Sequence, residues 1–102
     1  MSPIAERTCA ELLKALADGI RLEILHALAE RERCVGDLVR ELRRAQSHVS
    51  HHLKVLKTAG LVSSRREGHK ICYALRPEVR RALPRTRRET LDLGCCEVRF
   101  KG

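Results

Sequence analysis

The order of hydrophobic patterns in the middle of the chain constrains the fold more than any other feature of the sequence. Two short segments, 35–42 and 46–59, place apolar residues at helical spacing and are separated by only a few residues. Two more segments, 61–66 and 70–75, contain β-branched or aromatic residues and flank Glu67-Gly68-His69, which suits a hairpin turn. Two helices with a tight turn, followed directly by a hairpin, form a winged helix-turn-helix.

Helical patterns also lie on both sides of this central part. Segments 6–16 and 20–28 carry apolar stripes, and Asp18 is a suitable N-cap at the break between them. After the hairpin, Pro77 suits the first position of a helix, and a further helical piece is expected over 85–93. We therefore predict a mainly α fold with a small β-hairpin wing, in the order four helices, two strands and a last helical region.

The composition favours packed helices over an aromatic binding platform. The chain has one Phe, one Tyr and no Trp among 102 residues, and 43% of its residues are hydrophobic. Its core must therefore come from Leu, Ile, Val and Ala, and no stacking surface for single-stranded nucleic acid is expected. A chain of this length buries one modest core. We predict a single domain over residues 1–102 with a C-terminal sensor tail at about 94–102.

Positive charge is concentrated in the segment of the helix-turn-helix and its wing. The formal net charge is +8, and residues 40–70 hold eight Lys or Arg against two Glu. Such a cationic patch is expected on a surface that binds phosphates, although a charged face also serves solubility alone.

The helix predicted over 46–59 is the candidate that enters a DNA groove. Its N-terminal half carries short or planar hydrogen-bonding side chains, which can reach base edges in a major groove. A lysine further along the helix and basic residues of the wing can contact phosphates. The candidate DNA-binding residues are Gln46, Ser47, His48, Ser50, His51, Lys54, Arg65, Arg66, His69 and Lys70.

Five stretches resemble the ArsR/SmtB family of winged helix-turn-helix repressors, and together they span about residues 10–75. They are Leu16-Ala-Asp-Gly-Ile-Arg-Leu-Glu-Ile-Leu25, Cys34-Val-Gly-Asp-Leu38, Gln46-Ser-His-Val-Ser-His-His-Leu53, Leu56-Lys-Thr-Ala-Gly-Leu-Val62 and Arg65-Arg-Glu-Gly-His-Lys-Ile-Cys-Tyr73. The resemblance implies a homodimer held by the first and last helices, which binds double-stranded operator DNA in the cytoplasm until it captures an inducer. It implies no enzymatic activity and no membrane association.

The turn before the groove-reading helix departs from the pattern of the resembling family. Arg43, Arg44 and Ala45 stand where the family usually has Gly or a small polar cap. Without a Ser, Thr, Asp or Asn cap, that helix is expected to lose about 1 kcal/mol of stability.

The cysteines favour free thiols over a disulfide framework. The chain shows neither a secretion signal nor an apolar run long enough to span a bilayer. An odd number of cysteines in such a chain is typical of reduced thiols available for metal or redox chemistry. The five are Cys9, Cys34, Cys72, Cys95 and Cys96. Among them, Cys72 in the second hairpin strand is expected to be a small core residue.

The metal sites of the resembling family are incomplete in this chain. One branch of the family binds soft ions through several cysteines in the Cys-Val-Cys motif of the third helix, where this chain keeps Cys34 but has Gly36 in place of the second thiol. Another branch binds zinc through acidic and histidine pairs on the last helix, and this chain lacks those pairs. His48, His51 and His52 have the spacing of metal ligands, but they lie on the helix expected to face DNA.

Cys95 and Cys96 are the candidate inducer ligands. Adjacent cysteines form a strained disulfide, but both can bind one large thiophilic centre. Trivalent arsenic or antimony takes three thiolates in a pyramid, and some resembling arsenite sensors have a C-terminal vicinal pair with a third thiol nearby. The candidates for the third ligand here are Cys9 of the partner subunit, Cys34, or a residue beyond Gly102.

The same cysteines leave other functions open. With the same fold, Cys34 and the C-terminal pair can sense oxidants or reactive sulfur by forming disulfides or persulfides. A cadmium, lead or zinc sensor is a related alternative. The remaining alternative is a small thiol-transfer or metal-trafficking enzyme, but the chain has no Cys-x-x-Cys and no phosphate-binding glycine loop.

Overall fold

The computed structural model describes residues 9–82, 90–93 and 95–99 of the chain. Its helices are α1 (Cys9–Leu16), α2 (Gly19–Glu30), α3 (Val35–Leu42), α4 (Gln46–Thr58) and α5 (Pro77–Ala82). Its strands are β1 (Arg33–Cys34), β2 (Val62–Glu67), β3 (Lys70–Leu75), β4 (Thr90–Asp92) and β5 (Glu97–Arg99). None of the helices in these ranges has the length and apolar character that crossing a bilayer requires.

The helix-turn-helix and its wing lie where the sequence predicts them. Three residues separate α3 from α4, and β2 pairs with β3 as an antiparallel hairpin soon after α4. The hairpin turns at Gly68, whose φ of +62° is a conformation that glycine adopts without steric cost. The predicted winged helix-turn-helix is confirmed.

The predicted N-cap of α2 is confirmed, and a glycine marks the end of α4. The Asp18 carboxylate accepts hydrogen bonds from the backbone N–H groups of Ile20 (2.8 Å) and Arg21 (3.2 Å), so it caps α2. Gly60 follows α4 with a φ of +81°, in the left-handed region that commonly ends a helix. These residues fix where α2 begins and where the chain leaves α4 for the wing.

An aliphatic core joins the helices, the wing and the C-terminal strands. Leucines supply most of it, and Tyr73 is its aromatic member among the described residues. Its most deeply buried side chains are Leu12, Ile24, Leu28, Leu38, Val49, Leu53, Leu56, Leu61, Val62, Val79 and Leu93. Because α4 packs its apolar residues into this core, its polar residues are left on the surface.

A short strand that the sequence does not predict joins the wing to the start of α3. β1 pairs antiparallel with β3, with Arg33 opposite Tyr73 and Cys34 opposite Cys72. The three-stranded sheet therefore has the order β1-β3-β2. Two residues are too few to show the alternation of apolar and polar residues by which a strand is predicted.

The helical piece expected over 85–93 is wrong for its last residues, because Thr90–Asp92 is a strand. β4 pairs with β5, with Leu91 opposite Val98. Leu91 and Leu93 are buried while Asp92 is exposed, and this period of two is typical of a strand. The tail expected from about residue 94 contains β5, and residues 83–89, 94 and 100–102 lie outside the described ranges.

Candidate nucleic-acid interface and thiol cluster

The N-terminal half of α4 presents polar side chains to solvent. Val49 and Leu53 are fully buried and fix the orientation of the helix. Ser50 is partly exposed. The exposed candidates on α4 are Gln46, Ser47, His48, His51 and Lys54. A helix with such a polar outer face can enter a major groove and form hydrogen bonds with base edges.

His52 lies on the inner side of α4 and connects this helix to the start of α2. Its side chain is 13% exposed, with Nε2 3.9 Å from Asp18 Oδ1 and Nδ1 3.4 Å from the Arg21 guanidinium. Burial lowers the pKa of His52, and the hydrogen bond from the Arg21 N–H lowers the pKa of Asp18. In the described part of the chain, His48, His51 and His52 do not form a metal-binding group.

The turn before α4 has neither a glycine at its left-handed position nor a side chain that caps the helix. Arg43 has a φ of 54° and a ψ of 45°, a left-handed conformation that favours glycine. Ala45 is the N-cap residue, so no side chain there accepts a hydrogen bond from the first turn of α4. The missing cap that the sequence predicts is confirmed.

The wing carries exposed cations, one of which is engaged in ion pairs. Arg65 donates to the Glu32 carboxylate from Nε at 2.9 Å and from Nη2, and it lies 3.1 Å from Glu67. The hydrogen bond from Arg65 lowers the pKa of Glu32. Sequence reasoning missed Glu32, because it lies 33 positions before Arg65 and no local pattern connects them. The other wing candidates, Arg66, His69 and Lys70, are exposed.

Part of the positive charge between residues 40 and 70 is balanced within the fold. Arg40 forms an ion pair with Asp37 at 2.7 Å, and Arg44 with Glu23 at 3.3 Å. Within the described ranges, the cations of this segment that form no ion pair are Arg43, Lys54, Lys57, Arg66 and Lys70. The surface formed by α4 and the wing therefore keeps an excess of positive charge, which suits phosphates.

Three sulfur atoms, which we call the thiol cluster, converge where α1 begins and the chain turns between β4 and β5. Cys9 is bonded to Cys95 at an S–S distance of 2.11 Å, and Cys96 Sγ is 3.4 Å from Cys9 Sγ. All three sulfurs lie within 4.8 Å of one another. Cys95 is exposed, while Cys9 and Cys96 are half-buried. Cys9 therefore joins the vicinal pair within one chain, whereas the sequence leaves the third ligand open between Cys9 of the partner subunit, Cys34 and a residue beyond Gly102.

Packing of both ends of the chain on one core brings these cysteines together. α1 buries Leu12 and Ala15, and the C-terminal segment buries Leu91 of β4 and Leu93, which directly follows β4. The Leu93 N–H donates to the Cys96 carbonyl at 2.9 Å, which closes the turn that carries the vicinal pair. When reduced, three thiols so placed can bind one soft centre; when oxidised, they can exchange disulfide partners.

The structure corrects two expectations about the other cysteines. Cys34 is bonded to Cys72 across the β1–β3 pairing, so Cys34 is outside the thiol cluster. Cys72 is buried in the core, as the sequence predicts, and also forms this bond. Two disulfides are present where the cysteine count favours free thiols. For Cys34 and Cys72 the physical reason is register, since facing residues of antiparallel strands bring their Cβ atoms close together.

The central part of the chain matches a family of DNA-binding regulators. Residues 18–64 match the family described as bacterial regulatory protein, arsR family. The HTH-type transcriptional repressor SmtB of Mycobacterium tuberculosis is 48% identical over 65 residues, which cover 64% of this chain and 48% of that repressor. The chain thus spans about half the length of this curated relative.

Two solved structures are similar to the chain over a larger share of their own length than SmtB is. Reduced HlyU from Vibrio cholerae is 41% identical, with a TM-score of 0.65 over 71% of this chain and 77% of that one. The homodimeric winged helix-turn-helix DNA-binding domain of Mb0332 from Mycobacterium bovis is 41% identical, with a TM-score of 0.62 over 65% and 61%. The fold and these relatives are those of transcriptional regulators and not of enzymes. The chain belongs to the ArsR family of bacterial regulatory proteins.

Proposed function

We propose that this protein is a homodimeric repressor that binds operator DNA in the cytoplasm and releases it when trivalent arsenic or antimony binds the thiol cluster. The observation that carries the choice of inducer is the convergence of Cys9, Cys95 and Cys96, whose sulfurs lie within 4.8 Å of one another. Membership of the ArsR family supports the repressor function, because its relative SmtB is a transcriptional repressor.

In this proposal α4 reads the DNA sequence and the wing positions the protein on the DNA backbone. The residues assigned to base edges are Gln46, Ser47, His48, Ser50 and His51. Those assigned to phosphates are Lys54, Arg65, Arg66, His69 and Lys70. Their exposure on one side of the helix-turn-helix supports the assignment.

The repressor acts as a dimer in this proposal. Two reading helices about 34 Å apart, one turn of the DNA helix, fit a palindromic operator. The Mycobacterium bovis relative is homodimeric, and α1 exposes 42% of Leu13, an apolar side chain available to a second copy. Because Cys9 is the first residue of α1, a ligand bound to the thiol cluster acts directly on a helix assigned to the dimer interface.

Three thiolates suit a trivalent metalloid better than zinc. Arsenic and antimony take three sulfurs, whereas structural zinc takes four ligands in a tetrahedron. Among the described residues, no fourth Cys, His, Asp or Glu joins the thiol cluster. Reduction of the Cys9–Cys95 bond precedes binding, because thiolates are the coordinating form. A coupling free energy of about 1–3 kcal/mol lowers DNA affinity about 5- to 150-fold.

The test is a titration of the reduced protein with arsenite, scored by thiolate absorption and by release of a DNA duplex. This duplex, the selected duplex, is one that the protein itself enriches from a random-sequence pool. Cys95→Ser/Cys96→Ser is expected to abolish both signals, because two of the three ligands are lost. Cys34→Ala, outside the cluster, is the control that keeps both. Release from the double-serine variant by arsenite contradicts the proposed site.

The same titration with antimonite, cadmium, lead and zinc distinguishes a metalloid sensor from a sensor of divalent metals. Antimonite is expected to act like arsenite, since both ions are trivalent and thiophilic. Release at lower concentrations of a divalent ion than of arsenite would assign the site to that ion instead.

A second candidate function, a thiol redox or reactive-sulfur sensor, is favoured by the bond between Cys9 and Cys95. Cys96 Sγ lies 3.4 Å from Cys9 Sγ and is placed to exchange with that disulfide. The Vibrio cholerae relative was solved in a form described as reduced. If peroxide or polysulfide releases the selected duplex while arsenite under a reductant does not, the cluster is a redox sensor.

A further inference from the structure

A second pair of sulfurs lies within the DNA-binding part of the fold, apart from the thiol cluster. Cys34 immediately precedes α3, the first helix of the helix-turn-helix, and Cys72 lies in the middle of β3. The two residues face each other in the β1–β3 pairing and are joined by a disulfide. The bond therefore connects the helix-turn-helix covalently to the wing.

The two residues of this pair differ in their access to solvent. Cys72 is 1% exposed, whereas Cys34 is half-buried and lines a cavity of about 340 Å³ between α3, α4 and the tip of the wing. Lys70, Arg40 and the Asp37 carboxylate that pairs with Arg40 line the same cavity, and the net positive charge there favours the thiolate that reacts with oxidants. In the reduced protein, a small oxidant therefore meets Cys34 first.

We propose that Cys34 and Cys72 form a dithiol site that is oxidised by hydroperoxides. The Cys34 thiolate attacks a peroxide oxygen, the O–O bond breaks, and the leaving oxygen takes up a proton to give an alcohol, or water from hydrogen peroxide. The Cys72 thiol then attacks the sulfur of the Cys34 sulfenic acid. The S–O bond breaks, and water leaves with the proton from Cys72. The sulfur pair loses two electrons, and the peroxide gains them.

The disulfide is one of the contacts that hold the wing on the helix-turn-helix, together with the ion pair of Arg65 with Glu32 and the hydrogen bond from Lys57 to Ser64. Without it, β1 and β3 are connected by a pairing of two residue pairs, so the wing tip has more freedom. A wing that is fixed in advance loses less conformational entropy when the protein binds DNA. The oxidised protein is therefore expected to bind DNA several-fold more tightly. This consequence rests on the proposed DNA-binding function, whereas the peroxide chemistry does not.

The test uses the full chain without the thiol cluster, Cys9→Ser/Cys95→Ser/Cys96→Ser, so that Cys34 and Cys72 are the remaining cysteines. After reduction, hydrogen peroxide is expected to lower the intact mass by two hydrogens and to leave neither thiol titratable. Dithiothreitol is expected to reverse both changes. Circular dichroism checks that the variant is folded. If it is not, peptide mapping of the oxidised natural sequence locates the Cys34–Cys72 link directly.

Two further variants in the same background identify the attacking sulfur. With Cys72→Ala, Cys34 is expected to remain as a sulfenic acid, which dimedone labels. With Cys34→Ala, the remaining thiol is expected to react many-fold more slowly, because Cys72 is buried. Equal labelling of the two variants, or free thiols that persist in the folded cluster-free chain after peroxide, overturns the proposal.

Binding of the selected duplex by the reduced and the oxidised cluster-free chain tests the effect on the wing. Tighter binding after oxidation, reversed by dithiothreitol, supports it. Equal affinity in the two forms overturns the control of DNA binding by this bond and leaves the peroxide chemistry to be judged on mass and labelling alone. No DNA binding by either form, or by the natural sequence, contradicts the proposed function instead.

Discussion

Arg43 has a left-handed backbone conformation, with a φ of 54°, at the turn of the helix-turn-helix. This conformation costs about 1–2 kcal/mol for a residue with a Cβ atom and almost nothing for glycine. We therefore expect Arg43→Gly to raise the free energy of unfolding by about 1 kcal/mol in urea denaturation. Arg44→Gly is the control, because no positive φ favours glycine at that neighbouring position. A gain of the same size at Arg44, or a loss at Arg43, contradicts this explanation.

His52 makes the stability of the fold depend on pH below neutrality. Burial lowers its pKa in the folded chain, so the unfolded chain binds the proton more strongly. The full stability is therefore expected above the unfolded-state pKa of about 6.5, and it is lost as the pH falls from there towards the lower folded-state pKa.

The midpoint of thermal unfolding, followed from about pH 8 to pH 5, measures this dependence. His52→Gln is expected to flatten the decline, because the buried titrating group is gone. His48→Gln, which removes an exposed histidine from the same helix, is expected to keep the natural slope. The explanation fails if both variants lose stability in parallel with the natural protein.

Among the elements, the connection between α2 and α3 depends on one buried cation, Arg33. It is 5% exposed, and its Nε donates to both oxygens of Glu41 at 3.1 Å. Its Nη1 donates to the carbonyls of Ala27 (2.7 Å) and Arg31 (2.9 Å). Because Arg33→Ala leaves these acceptors without their donor, we expect it to lower the free energy of unfolding by about 3 kcal/mol.

Arg31→Ala is the matched control for that variant in the same denaturation experiment. Arg31 reaches the same Glu41 carboxylate at 3.5 Å, but its side chain is 65% exposed. Exposed ion pairs contribute little, so the expected loss is below about 0.5 kcal/mol. Similar losses in the two variants would show that burial is not the reason for the effect of Arg33.

The elements that the sequence predicts are those with repeated apolar spacing and clear ends. α4 and the wing have both, and Asp18 and Gly60 mark helix ends by chemistry that is local in sequence. β1 has two residues and β4 has three, which is too short for a period to be recognised. Their strand character comes from partners elsewhere in the chain.

The same distinction holds for the candidate site. The exposed face of α4 follows from helical spacing alone, and this is why its residues could be assigned in advance. The burial of Arg33 and the bond between Cys34 and Cys72 depend on contacts 8 and 38 positions apart, respectively. The position of Cys9 beside the vicinal pair depends on how α1 and the C-terminal strands pack on one core. A local sequence pattern does not predict such packing.

At the scale of the whole molecule, the net charge of +8 implies that the proposed affinity for DNA falls as salt is added. Arg66 is exposed and unpaired within the described ranges, whereas Arg65 is held by Glu32 and Glu67. We expect Arg66→Ala to reduce the slope of log affinity against log salt by about 1, and Arg65→Ala to reduce it less. Titrations of the selected duplex at several salt concentrations measure both slopes. A larger change for Arg65→Ala contradicts the structural assignment.

The bond between Cys9 and Cys95 spans 86 positions and so closes most of this 102-residue chain into a ring. A ring of this size has fewer unfolded conformations than an open chain. In the chain-entropy treatment, this raises the free energy of the unfolded state by about 4–5 kcal/mol. A metalloid held by the same sulfurs closes the same ring. In the proposed function, the metalloid binding that ends repression therefore also lengthens the lifetime of the protein, because a closed chain unfolds less often and offers proteases fewer openings.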